Sequence, residues 1–247
     1  MAEPTARQER QQLVASLRLH VRSMAARGQR TLPAAPEPQS LTSSAPPAGA
    51  DSVQPPDLLG ALAHEVTRCQ RCRLHQGRTN AVPGEGDPSA RLLFVGEGPG
   101  FDEDRTGRPF VGPAGRVLDA MIGAMGLRRS EVYIANVVKC RPPGNRQPQP
   151  DEVACCWPYL EAQVRHIQPE VIVLLGATAL RAFYPGPPEG LRRSRGRWRT
   201  WQGIPVLPTF HPAYLLRNEA EKLPVWEDLK AVLRRLDLPI PHNPADG

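Results

Sequence analysis

Four short apolar runs constrain this chain more than any other feature. Arg91–Gly96 (RLLFVG), Val132–Val138 (VYIANVV), Val171–Gly176 (VIVLLG) and Pro205–Phe210 (PVLPTF) are hydrophobic almost from end to end. That is the texture of strands covered on both faces, not the alternation of a half-exposed sheet. Helical periodicity separates them at Ala114–Met125, Asp151–Ile167 and Ala177–Phe183, and a last helical stretch follows at Val225–Leu236. The β-α-β-α-β-α-β order predicts an α/β fold, a three-layer α/β/α sandwich around a central four-stranded parallel sheet. Ligands of such sheets gather outside the carboxyl ends of the strands, so residues at and just after each run are the ones to inspect.

The rest of the chain is organised around that domain, assigned to residues 57–238 and opening with a helix near Leu58–Thr67. Residues 1–30 carry Leu13, Leu17, Val21 and Met24 at helical spacing and read as an amphipathic helix, a candidate docking element for a protein partner. Residues 31–56 are dense in Pro, Ala and Ser with few bulky apolar groups, the composition of a disordered linker. Residues 239–247 read as a flexible tail. No apolar run approaches the roughly 20 residues a membrane helix needs, and the N-terminus lacks the apolar core of a secretory signal. The expectation is a cytoplasmic monomer with no membrane contact.

Polar candidates sit where the topology predicts. The first strand runs into Gly96-Glu97-Gly98-Pro99-Gly100-Phe101-Asp102-Glu103-Asp104, then Gly107–Gly112 with Phe110. This loop has neither G-x-G-x-x-G spacing nor a following Gly-Lys-Ser/Thr, which excludes the dinucleotide and P-loop readings. Asn136 lies near the end of the second run, and His211 directly follows the fourth. Cys69 and Cys72 form a Cys-x-x-Cys pair, Cys140 follows the second run, and Cys155 and Cys156 open the next helix. Clustered cysteines in a chain without a secretory leader read as metal ligands, and an all-sulfur set suits either zinc or an iron–sulfur cluster, between which spacing alone does not choose. The net charge is +6 and arginine far outnumbers lysine, which suits a polyanionic partner. Arg192, Arg193, Arg195, Arg197 and Arg199, interleaved with Trp198 and Trp201, form a basic segment suited to phosphates, and Arg217 is a further candidate.

At these residues the chain resembles the family-four (type a) iron–sulfur members of the uracil-DNA glycosylase superfamily. The resembling segments are GEGPGFDEDRTGRPFVGPAG (96–115), NVVKCRPPGNRQP (136–148), CWPYLEAQ (156–163), LGATA (175–179), RGRW (195–198) and HPAYLLRN (211–218). The resemblance spans about residues 58 to 237. It implies a structural 4Fe-4S cluster, with zinc as the alternative, on Cys69, Cys72, Cys140 and Cys156. The family segment begins at Cys156, so Cys155 is left as a free thiol.

The implied activity is hydrolysis of the uracil–deoxyribose bond in DNA, leaving an abasic site for base excision repair. Departure of the base builds negative charge on uracil and positive charge on the sugar, so the site needs donors on the base and an anion or oriented water near the sugar. His211 and Glu97 are the residues for those two roles. Phe110 offers a stacking ring for a base turned out of the duplex, and the Asn136 amide matches the uracil edge and mismatches that of cytosine. By resemblance Glu103 excludes the 5-methyl group of thymine and Gly98 lines the pocket. Arg195, Arg197 and Arg217 are assigned to the DNA backbone. The stretch Leu191–Trp198 lacks the loop histidine of a sister group that captures uracil covalently, and no lysine is evidently placed as a Schiff-base nucleophile, so the expected enzyme is monofunctional. The alternative is a protein that binds or senses damaged DNA without cleaving it.

Overall fold

The computed structural model describes residues 57–186 and 190–241; the N-terminal helix and linker expected over 1–56, and most of the tail, lie outside them. The chain enters through α1 (Leu58–Arg68), capped by Asp57 Oδ1, which accepts the Gly60 N–H at 2.8 Å. Then follow β1 (Glu85–Gly86), β2 (Leu92–Gly96), α2 (Phe101–Thr106), α3 (Pro113–Ala124), β3 (Tyr133–Asn136), α4 (Pro150–Ile167), β4 (Val171–Leu175) and α5 (Ala177–Phe183). The last elements are α6 (Leu191–Ser194), β5 (Arg199–Trp201), β6 (Ile204–Thr209), α7 (Pro212–Leu215) and α8 (Lys222–Arg235).

The sheet has six strands in the order β1-β3-β2-β4-β6-β5, which corrects the expected four. The predicted strands are its parallel centre, paired β3–β2, β2–β4 and β4–β6. The two additions are antiparallel edges of two and three residues. Their segments, Glu85–Gly86 and Arg199–Trp201, bury one face at most and so lack the continuous hydrophobicity that betrays a central strand. β2, β3 and β4 are buried at every position, and each buried aliphatic side chain contributes roughly 1.5–3 kcal/mol of transfer free energy.

Two cores flank the sheet. One joins α1, α4 and α5 through Val66, Leu160, Val164 and Leu180 to Leu93, Val95, Ile172 and Leu174. The other joins α3 and α8 through Leu118, Ile122, Leu229 and Leu233 to Leu92, Phe94, Val173 and Leu175. Successive residues of a strand therefore feed opposite cores, as the pleat requires. Leu238 packs on the second core, and Pro241 comes close to Gly126, so the chain beyond α8 is anchored at least to residue 241.

Candidate active site

The carboxyl ends of β2, β3 and β6 converge on one cavity of about 600 Å³, lined by Glu97, Gly98, Glu103, Phe110, Asn136 and His211, with Arg146, Leu216 and Arg217 toward its edge. Gly96 permits that convergence. A Cβ there would lie 2.4 Å from Asn136 Oδ1 and 2.5 Å from Phe110 Cζ, closer than atoms can stand. Asn136 ends β3 and is buried, and its Oδ1 has no hydrogen-bond partner among the described residues. A buried amide oxygen left unpaired costs roughly 1–3 kcal/mol unless something donates to it. Its position on the cavity wall marks where a donor belongs.

His211 caps α7. Its Nδ1 accepts the Ala213 N–H at 3.1 Å, so that nitrogen carries no proton and the neutral ring holds its hydrogen on Nε2. Burial pushes its pKa down to about 4, against an opposing pull from the Glu103 charge. The ring is therefore uncharged at neutral pH, with Nε2–H as its one donor. It lies 5.6 Å from the Phe110 ring, tilted by 31°. Gly176, in the left-handed region at φ +96°, lets β4 turn away under the imidazole; a Cβ there would come within 3.1 Å of the His211 Cβ.

Glu103 is spent on the loop. Its Oε1 accepts the N–H groups of Val111 and Gly112, both at 2.9 Å, and its Oε2 accepts that of Gly100 at 3.0 Å. The carboxylate thus ties the two residues after Phe110 to the start of α2, and Phe110 itself adopts φ +50°, a conformation a bulky residue takes only when its surroundings enforce it. Arg129 completes the enforcement, donating to Phe110 O at 3.2 Å and to Pro109 O while pairing with Asp119 at 2.7 Å. Sequence reasoning missed Arg129, which precedes β3 in a surface-like Arg-Arg-Ser stretch with nothing local to single it out. Glu97 reaches Thr178 at the start of α5, whose hydroxyl donates to Glu97 Oε2.

The model of the uracil DNA glycosylase superfamily matches residues 83–230, more than half of the chain and all of this cavity. The chain belongs to that superfamily. It is 50% identical over 177 residues to a type-4 uracil-DNA glycosylase of Thermotoga maritima, covering 70% of this chain and 92% of that one. It is 45% identical over 184 residues to a type-4 uracil-DNA glycosylase of Sulfurisphaera tokodaii, covering 71% and 84%. A type-5 uracil-DNA glycosylase of Thermus thermophilus is 38% identical over 141 residues, 51% of this chain and 63% of the relative.

This superfamily member carries a second concavity behind β3. Cys69, Cys72, Cys140, Cys155 and Cys156 line one small pocket together with Val66, His75 and Tyr159, and none is in a disulfide. Sulfurs there already receive donors: Arg78 Nη1 to Cys140 at 3.1 Å, the Lys139 N–H to Cys156 at 3.2 Å, and the Arg71 N–H to Cys69 at 3.5 Å. Burial pushes the Cys72 and Cys140 thiols up and that of Cys156 to about 11, so they become thiolates only when a positive centre offsets the desolvation. Among the described residues no group of three or more His, Cys, Asp or Glu side chains is arranged to hold a single metal ion. Two further residues tie this pocket into the fold, and neither stands out in the sequence. Glu152 sits at the third position of α4, accepting from Arg146 at 2.6 Å and Arg73 at 2.9 Å and capping the helix through Gln149 N, which holds its pKa near 2. Lys139 is buried, donating from Nζ to Asn136 O at 2.9 Å and Gln163 Oε1 at 2.6 Å, and burial lowers its pKa to about 8.

The arginine assignments divide. Arg217 is exposed on the cavity edge and Arg197 is exposed on the turn before β5. Arg195 instead pairs with the buried Asp228 at 2.8 Å and donates to Pro224 O. Its neighbours are engaged as well: Arg192 pairs with Glu221 at 2.7 Å, and Arg199 lies 5.1 Å over Tyr184. Trp201 packs edge-on against Trp157 and Phe183 and belongs to the core. Contacts within the fold thus engage Arg192, Arg195 and Arg199 of a segment that is uniformly basic in one dimension.

Proposed function

We propose that this protein removes uracil from DNA by hydrolysing its N-glycosidic bond, as its type-4 relatives are named for doing. The observation that carries the reading is the orphaned Asn136 Oδ1 on the cavity wall. Uracil offers an N–H at N3 flanked by carbonyls, so a base turned into the cavity donates to Oδ1 while the same amide donates to its neighbouring carbonyl. Cytosine presents an unprotonated N3 to that oxygen and leaves it unpaired. Phe110, held rigid by Glu103 and Arg129, supports the stacking face, and Glu103 and Gly98 form wall rather than reacting groups.

His211 donates from Nε2 to the oxygen on which charge accumulates as the base departs. Because the ring is already neutral, it stabilises the anion by a hydrogen bond without first losing a proton. Glu97 lies across the cavity as the anion or water-orienting group for the sugar. No lysine lines the cavity among the described residues, which supports a monofunctional glycosylase without strand cleavage. Arg197 and Arg217 serve the backbone of uracil-containing DNA. No described helix is long and apolar enough to cross a membrane.

The four thiols Cys69, Cys72, Cys140 and Cys156 fit a 4Fe-4S cluster, with zinc as the alternative. They line a shared pocket, and N–H groups already aim at three of their sulfurs. Such a cluster supplies charge compensation for buried thiolates and a pin between the segment after α1, the β3–α4 loop and α4; the hydrolysis itself moves no electrons.

The test is incubation of anaerobically purified protein with a duplex carrying one uracil, followed by alkali, beside Asn136→Asp and a cytosine control. Alkali-labile cleavage at uracil is expected from the wild type. In the variant, discrimination against cytosine should weaken by about 5- to 150-fold, the equivalent of roughly 1–3 kcal/mol for one mispaired buried group. Wild-type binding without cleavage would favour the damage-sensing alternative.

A further inference from the structure

Glu97 is held by a directed chain of hydrogen bonds that the glycosylase reading does not require. Thr178 Oγ1 donates to Glu97 Oε2. Arg181, one turn along α5, donates from Nη2 to Thr178 Oγ1 at 3.3 Å and to Gln147 Oε1 at 3.3 Å. A guanidinium has only donors, so its contact consumes a lone pair of the hydroxyl, and the single hydroxyl hydrogen is committed to the carboxylate. Thr178 is buried and β-branched, which restricts χ1 and with it the position of Oγ1, while the Arg181 donor on that oxygen leaves the carboxylate as the acceptor for its hydrogen. One Glu97 oxygen is thereby anchored, while Oε1 has no hydrogen bond among the described residues and Glu97 lines the cavity.

We propose that Thr178 is a positioning residue for Glu97, and that Arg181 and Gln147 extend that control to the loop between β3 and α4. Anchoring one oxygen at a protein donor sets the plane of the carboxylate, so the other is presented toward the sugar without an orientational search at each turnover. The chain ends in the loop bounded by Cys140 and Cys156, so the placement of Glu97 is mechanically continuous with the cysteine-bearing segments. The inference rests on the reading of Glu97 as a group acting at the sugar.

The experiment compares single-turnover uracil excision and DNA affinity for Thr178→Val, Thr178→Ser, Arg181→Met, Glu97→Ala and the double variant Thr178→Val/Glu97→Ala. Thr178→Val should slow excision by about 10-fold at unchanged affinity, Thr178→Ser should restore it to within about 3-fold, and Arg181→Met should fall between. In the Glu97→Ala background, Thr178→Val should add nothing, because nothing is left to position. Wild-type excision by Thr178→Val, or a loss that multiplies with that of Glu97→Ala, would overturn the proposal. A wild-type rate in Glu97→Ala would instead remove Glu97 from the chemistry. Should Thr178→Val not fold, Arg181→Met decides, since its side chain is exposed and an unchanged rate there contradicts the relay.

Discussion

The cavity at Asn136 and the thiol pocket at Cys140 lie four residues apart on one buried stretch of chain, yet their polar atoms are paired in opposite ways. In the cavity the recognition group is left open: Asn136 Oδ1 is buried without a partner, and His211 keeps Nε2–H as its free donor because Nδ1 is occupied. In the thiol pocket three of the sulfurs already receive N–H groups, and Glu152, Arg73 and Arg146 bind the flanking segments together. A site for a transient guest leaves its unmet hydrogen-bonding potential inside the protein, where only the right guest satisfies it. At the proposed cluster site much of the surroundings is satisfied in advance, which leaves charge to be compensated. Lys139 joins the two, its N–H on Cys156 Sγ and its Nζ on Asn136 O.

The comparison predicts that damage to the thiol side costs the fold and damage to the cavity side costs the reaction. The largest effect is expected for Cys140→Ser, which removes one of the four proposed ligands. Visible absorbance should disappear and Tm should fall by about 10–20 °C, equivalent to roughly 5 kcal/mol for a domain of this size. A colourless wild type, or a variant that keeps both Tm and colour, would break the distinction. His211→Ala should leave Tm nearly unchanged while slowing single-turnover excision by about 10²–10³-fold, near 3 kcal/mol, the loss of one preorganised donor on a developing anion. An unchanged rate would take the imidazole out of the mechanism.

The smallest effect concerns pH and separates the two regions by the window in which each responds. His211 is held neutral, with its pKa lowered from 6.5 to about 4 by burial. The unfolded chain therefore takes up a proton between 6.5 and 4 that the folded one refuses, so this contribution is present above pH 6.5 and lost as pH falls toward 4. Excision should show no inflection at 6.5, because the donor form persists. Glu152, lowered from 4.5 to about 2 by its arginines, contributes stability above pH 4.5 that is lost as pH falls toward 2. Tm recorded against pH in wild type, His211→Asn and Glu152→Gln should lose the upper slope in the first variant and the lower slope in the second. A rate that falls sharply at 6.5 would mean that the imidazole is protonated in the working site.

By itself the sequence determined the parallel centre of the sheet. Strands covered on both faces are hydrophobic at nearly every position, so β2, β3, β4 and β6 were legible within a residue or two. It also placed Glu97, Asn136 and His211 at strand ends, where this topology collects its ligands. The two edge strands were not legible, because half-exposed strands of two or three residues carry no pattern. Nor could composition tell a free arginine from a paired one. Arg195 and Arg197 are two residues apart and equivalent in sequence, but only Arg195 meets Asp228, a partner from α8 on a distant part of the chain. The same holds for Arg129 at Phe110, Glu152 between Arg73 and Arg146, and Thr178 at Glu97. Each acts through a contact made across the fold, and hydrogen bonds between remote segments leave no periodicity behind in the chain that forms them.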